Sequence, residues 1–294
     1  MKKILSFMIA IMAVMVFGSY LHADLISVNF HVEDDTDAQA AHEFDGTETA
    51  GVGSFNTSFW NNVGIGAGGG NAAAAQIFAP ATLFDDSGNS SAATVTSTLA
   101  PGETAATWFG GYGGSTAAGE AELTNGISDD NLFNSYLALN GPNGDGSPED
   151  NFVLDIAGLG LPFTTNGYDL IIYSETDRGG AGVNSTAART SVFTVTEAGG
   201  TVSTALTEDD NSAPRTFNGN YVLSDGNGAG TDYSNYTVIS GLSASSFSIE
   251  VTSPNGGRGG ISGFQIVANT VPEPTSATLL GLGGLGLVLR RRRS

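Results

Sequence analysis

The sequence predicts an all-β body, an antiparallel β-sandwich of jelly-roll-like order, flanked by an N-terminal signal helix and a short C-terminal apolar helix. Three observations predict it. Short runs alternate apolar and polar residues with the period of two that a half-buried strand requires, and they are rich in β-branched and aromatic side chains. Gly, Asn, Asp and Ser divide these runs, which are the residues that turn chemistry selects. No stretch between the two ends carries the period of a long amphipathic helix, and no period of 20 to 50 residues repeats, which argues against a solenoid or propeller. Many short strands without helices are arranged most simply as two facing sheets.

The chain opens with Lys2 and Lys3, an apolar run from Ile4 to Phe17 and a polar-leaning segment from Gly18 to Ala23. This is the pattern of a secretory signal peptide, with the expected cut after Ala23, although Leu21 is bulkier than the usual small residue at that position. The expected divisions are therefore 1–23 for the signal peptide, 24–270 for the sandwich and 271–294 for a C-terminal segment. The ten Lys and Arg include Lys2, Lys3 and Arg290 to Arg293, which leaves the body only Arg178, Arg189, Arg215 and Arg258. Of the thirty Asp and Glu only Glu273 lies outside the body, so its formal charge is 4 minus 29, or −25. Such a surface repels nucleic acid and anionic lipid and favours solubility. There is no cysteine, so an exported body of this size relies on its core, on a metal ion or on both.

Along the body, Leu25 to Val32 alternates Ile26, Val28 and Phe30 with Ser27, Asn29 and His31, and reads as an early strand. The acidic Glu33 to Phe44 reads as a loop. In Gly51 to Ile65, Phe55, Phe59 and Trp60 supply apolar surface and Asn61–Asn62 a turn; Gly66 to Ala75 is too poor in bulky side chains for core. Gln76 to Phe84 and Ala92 to Leu99 form a hairpin across Asp85 to Ser91, followed by a strand at Thr104 to Phe109. The mixed spacing of Asp130 to Leu139 predicts a short helix or turn running into a strand. Further strands are expected at Phe152 to Ile156, Arg189 to Thr196, Thr201 to Leu206, Tyr221 to Leu223, Tyr233 to Ile239, Ser246 to Val251 and Ile261 to Val267. Tyr168 to Ser174, YDLIIYS, is the clearest buried strand of the chain.

The chain closes with Pro272, Glu273 and Pro274, an uncharged run from Ala277 to Leu289 holding six leucines and four glycines, and Arg290, Arg291, Arg292 and Arg293. A helix of that run spans roughly 20 Å, short of the ~30 Å hydrocarbon core of a bilayer, so it makes a transient anchor. The arginine block holds the last residues on the cytoplasmic side. In order and spacing the segment closely resembles the PEP-CTERM sorting signal of Gram-negative bacteria. The resemblance implies recognition by a membrane-embedded protease of the exosortase type, passage through the inner membrane, and delivery to the cell envelope or extracellular matrix. A second resemblance rests on SVNF (27–30), FWNN (59–62), LFDDSGNSSAATVT (83–96), YDLIIYS (168–174) and GISGFQIV (260–267). These are similar to recurring elements of exported proteins with the same tail, which resemble galactose-binding-like jelly rolls in outline.

The residues of the body bear on three chemistries. Ca²⁺ takes six to eight oxygen ligands, and Asn143, Asp145, Ser147, Glu149 and Asp150 alternate along one oxygen-rich loop, which makes Asp145, Glu149 and Asp150 the candidate ligands of a structural Ca²⁺. Asp34, Asp35 and Asp37 form a second cluster. Neither has the EF-hand order, and plain loop solvation is the simpler reading of both. Acid/base catalysis needs two carboxylates across a cleft, and no spacing singles out a pair. His31 and His42 have no HExxH-like partner, no GxSxG elbow occurs, and the Gly-rich tracts lack the lysine of a phosphate loop. Sugar binding by stacking makes Trp60, Trp108 and Tyr112 candidates, against the alternative that the tryptophans fill the core. The reading is an exported, non-enzymatic β-sandwich with a structural role or a role in binding extracellular polysaccharide; the alternative is a secreted carbohydrate-active enzyme with the same tail.

Overall fold

The computed structural model describes residues 24–33, 43–66, 78, 80–99, 108–113, 132–133, 135–140, 152–174, 189–209, 219–227, 233–252 and 260–269. The predicted signal helix and the C-terminal apolar helix lie outside these residues. Asp24–Ala268 form one unit.

Sheet 1 has the order β11-β8-β14-β1-β2, from β11 (Tyr236–Leu242), β8 (Tyr168–Tyr173), β14 (Gly263–Ala268), β1 (Leu25–Glu33) and β2 (Asn61–Gly66). Sheet 2 has the order β10-β9-β12-β7-β4-β3, from β10 (Val202–Asp209), β9 (Arg189–Glu197), β12 (Ser246–Thr252), β7 (Phe152–Ala157), β4 (Ser90–Leu99) and β3 (Ala81–Phe84). A small third sheet, β13-β6-β5, joins β13 (Gly260–Ile261), β6 (Ser135–Asn140) and β5 (Trp108–Gly113). One short helix, α1 (Leu161–Asn166), connects β7 to β8.

The alternation read in the sequence builds the core between sheets 1 and 2. Ile26, Val28, Phe30, Leu170, Ile172, Phe264 and Ile266 face inward from sheet 1, and Val95, Leu154, Ile156, Phe193, Val195, Ile249 and Val251 from sheet 2. The outward positions of β7 and β12 are partly exposed, as a sheet with one solvated face requires. YDLIIYS lies inside sheet 1 between β11 and β14, and both of its faces are covered.

Several expectations change, the first at Tyr221 to Leu223, which forms no strand and pairs only through an isolated bridge from Leu223 to Tyr236. The sheets are antiparallel except for β1 and β2, which run parallel with Val28 opposite Asn61 and Phe30 opposite Val63. Asn61–Asn62 therefore opens a strand instead of making a turn; the long connection between β1 and β2 gives the chain room to cross over and return in the same direction. The predicted last strand is two: β13 pairs with β6, and after Ser262 the chain enters sheet 1 as β14. Gly263 allows this entry, since a Cβ there would lie 2.5 Å from the Val28 carbonyl oxygen. The segment before YDLIIYS, where no element was expected, holds α1, with Pro162 near its start and Gly167 at its end at φ 79°.

Candidate functional sites

Both ends of the body lie on neighbouring strands of sheet 1. Leu25 of β1 is opposite Val267 of β14, and the Ala268 N–H donates to the Asp24 carbonyl at 2.9 Å. The unit Asp24–Ala268 thus has its first and last strands paired, and Pro272 follows within a few residues. Residues 270–293 match the PEP-CTERM protein-sorting motif. The PEP-CTERM motif includes Pro272, Glu273, Pro274 and Arg290 to Arg293, the residues on which the sequence resemblance rested, and it implies export, processing by an exosortase and sorting to the cell surface. These residues lie outside the described structure. No curated protein and no solved structure matches the chain. Among the described residues no helix is long and apolar enough to cross a membrane.

The second built feature covers the outer face of sheet 1. Residues 43–60 cross this face as a strap. Trp60 is only 5% exposed; its ring stacks on Phe44 with centroids 5.1 Å apart and meets Tyr173 edge-on at 6.0 Å, and its Nε1–H donates to the Thr57 carbonyl at 3.1 Å. Buried, stacked on Phe44 and with its N–H engaged, Trp60 is a packing residue here. Tyr173 also contacts Phe133, Tyr221 and Tyr236, so the rings form one cluster. Such pairs add to area burial because ring edges and faces carry opposite partial charge.

Polar groups tie the strap to the sheet. Gln265 is fully buried; its Oε1 accepts from the Tyr173 hydroxyl at 2.6 Å, and its Nε2 donates to Ser27 Oγ at 3.0 Å and to the Phe55 carbonyl at 2.9 Å. The Val52 N–H donates to the Tyr173 oxygen at 3.0 Å, and the Gly51 N–H to the Tyr221 oxygen at 2.8 Å. Asn62 pairs with the Phe44 backbone through both ends of its amide, at 3.0 and 2.9 Å. Asn61 does the same for Phe84, at 2.8 and 2.9 Å, and also donates to the Ser27 carbonyl at 2.8 Å, so it joins β3 to sheet 1. Asn235 accepts from the Val222 N–H and donates to the Asn220 carbonyl. Side-chain amides here replace the ladder bonds that irregular backbone lacks. Asn61–Asn62 reads in the sequence as a turn and Asn235 as part of a strand, and the one signal for Gln265 is its place between the apolar Phe264 and Ile266.

His31, on the polar phase of β1, is nonetheless buried beneath this region with Nε2 3.5 Å from Glu43 Oε1. The strap begins at a turn in which Thr47 donates through its N–H and hydroxyl to Asp45 Oδ1 at 2.8 and 2.6 Å. The Thr47 hydroxyl, then Glu48 and the Thr47 N–H, hold the Asp45 carboxyl down to about 2.

Of the other candidates, Trp108 and Tyr112 both lie on β5, at the edge of the third sheet, opposite Asn140 and Tyr136 of β6. The structure therefore places them on one strand, apart from Trp60 in sequence and sheet. Asp145, Glu149 and Asp150, and the cluster Asp34, Asp35 and Asp37, lie outside the described residues. Among the described residues no group of three or more His, Cys, Asp or Glu is arranged to hold a metal ion.

Proposed function

We propose that the protein is a non-enzymatic component of the cell surface or extracellular matrix, delivered through its PEP-CTERM segment, whose sandwich body serves a structural or polysaccharide-binding role. The match of residues 270–293 to the sorting motif, directly after a body that ends at Ala268, carries this reading. A cut in the Pro272–Pro274 region leaves every strand of the body intact. The segment from Ala277 to Leu289 is too short and too rich in glycine for a lasting anchor. We read the body as a variant of the galactose-binding-like jelly roll; supporting this are the two facing sheets and the sequence elements that resemble exported proteins with the same tail. Trp108 and Tyr112, neighbours on β5, are the residues proposed to stack on sugar rings. A structural Ca²⁺ on Asp145, Glu149 and Asp150 belongs to the same proposal.

Fractionation of cells with and without an exosortase, followed by mass spectrometry of the extracellular chain, tests the sorting step. The expected product lacks everything after the Pro-Glu-Pro region. Recovery of chains still ending at Ser294 outside the cell would overturn the reading. A glycan array probed with the exported body, with and without calcium, tests the binding role; loss of retained signal in Trp108→Ala and Tyr112→Ala variants is the expected result, and no signal for the parent removes polysaccharide binding from the reading.

A further inference from the structure

The pairing registers assign each strand end to one of two poles. At the first pole lie Asp24 and Ala268, joined by their backbone hydrogen bond, and every short connection between strands of sheets 1 and 2: Asp85–Asn89 between β3 and β4, 158–167 between β7 and β8, Ala198–Thr201 between β9 and β10, and Ser243–Ser245 between β11 and β12. The Asp86 N–H, which donates to the Leu25 carbonyl at 2.9 Å, and the Leu159 N–H, which donates to the Ser245 carbonyl at 3.0 Å, tie these turns to one another and to β1. The connections from β2 to β3, β4 to β5, β6 to β7, β8 to β9, β10 to β11 and β12 to β13 leave or enter sheets 1 and 2 at the opposite pole, as does the start of the β1 to β2 connection, which returns to enter the parallel β2 from the first-pole side.

We propose that the pole where Asp24 and Ala268 meet is the surface the body turns toward the lipid bilayer while the sorting segment is anchored, with the opposite strand ends pointing away from the membrane. The inference rests on the reading that the C-terminal segment anchors the chain before it is cut. From Ala268 the chain reaches the apolar run at Ala277 through residues 269–276, a span of at most about 30 Å when fully extended. The first pole is therefore tethered within that distance of the bilayer surface, and the signal peptide leaves the body from the same place.

Two further observations fit a surface held close to lipid. Leu161, on α1 at this pole, is 78% exposed, the most exposed large apolar side chain among the described residues, and Pro162 beside it is exposed too. The pole is also firmly built. Glu197 Oε1 accepts from the Ser243 and Ala244 N–H groups, both at 2.7 Å, and the Tyr168 hydroxyl donates to the Ala244 carbonyl at 3.1 Å. Its charged groups, Asp24, Asp85, Asp86, Asp169 and Glu197 among them, are acidic, and the four arginines of the body lie in none of its turns. Anionic lipid repels such a surface, so the tether alone enforces the contact and cutting the tether releases the body.

The absence of cysteine allows a direct test on the full chain. Leu161→Cys at the first pole and Leu223→Cys at the opposite one, both exposed, are each labelled with an environment-sensitive fluorophore and reconstituted in phosphatidylethanolamine/phosphatidylglycerol vesicles carrying a nitroxide-headgroup lipid. Flotation with the vesicles reports anchoring, and quenching reports which pole faces lipid. The expected result is flotation of both variants, with quenching at position 161 at least about threefold that at position 223. Flotation with equal quenching, or stronger quenching at 223, overturns the orientation and leaves the anchoring reading standing. Failure of the chains to float overturns anchoring and, with it, the orientation.

Discussion

Gln265 shows how one side chain commits a whole layer. Its amide satisfies a tyrosine hydroxyl, a serine hydroxyl and a backbone carbonyl at a buried position, so Gln265→Leu keeps roughly the volume but removes those three bonds. We expect a loss of roughly 2–4 kcal/mol in chemical denaturation, since each unmatched buried polar group costs about 1–3 kcal/mol. A change below ~0.5 kcal/mol would mean that water reaches the site. Tyr168 makes a different prediction. Burial, with a contribution from the negative charge of Glu197, raises the phenol well above its ordinary value of 10.0. Above pH 10 the unfolded chain then releases a proton that the folded chain keeps, so this residue lowers stability as pH rises, whereas below pH 10 it has no such effect. Tyr168→Phe should lose about 1 kcal/mol at pH 7 with its hydrogen bond to Ala244, and the gap to the parent should close as pH rises past 10. Parallel denaturation curves at pH 7 and pH 11 check the sign; an unchanged gap would show that the phenol does not titrate differently in the fold.

At the scale of elements, β8 and β14 carry the argument. Ile172 of β8 is fully buried against the core, and Ile172→Asp places an unpaired carboxylate there, at a cost of about 3–5 kcal/mol. A variant that melts with the parent would make the strand peripheral. Gly263→Ala sets a methyl 2.5 Å from the Val28 carbonyl oxygen and 2.9 Å from Leu132 Cδ1, so β1 and β14 must separate locally; hydrogen exchange at Val28 and Phe264 should quicken while that of β9 and β12 holds. Strands whose inward residues alternate strictly, such as Phe152, Leu154 and Ile156, were legible in the sequence because burial on one face leaves a period-two trace. Other features left no such trace. In β2 the polar Asn61 and Asn62 serve the backbone of Phe84 and Phe44, a task that depends on chain segments brought near only by folding. The parallel pairing of β1 with β2, and the division at Ser262, likewise depend on which partners are free in three dimensions. His31 occupies the polar phase of its strand and is nonetheless buried, since alternation records which face a side chain takes and not whether a later segment covers it.

For the whole molecule, charge is the dominant variable. A body with a formal charge of −25 repels itself, and salt shortens the reach of that repulsion from about 30 Å at ~0.01 M to a few ångströms near 1 M. The melting temperature should therefore rise by several degrees between ~10 mM and ~0.5 M NaCl in scanning calorimetry; a flat response would point to cations already bound. The pairing of β1 with β14 has one more consequence, which concerns time. β14 lies between β8 and β1, so without it sheet 1 is two fragments, β11 with β8 and β1 with β2. The strand that joins them is the last of the body to be synthesised, and its partner β1 lies almost a full body length away in the chain. Contacts so distant form slowly, because a large loop must close before any of them stabilises the fold. A nascent chain of this design stays threadable through a translocation pore until residues 263–268 have crossed, and only then can the first and last strands meet and shut the sheet.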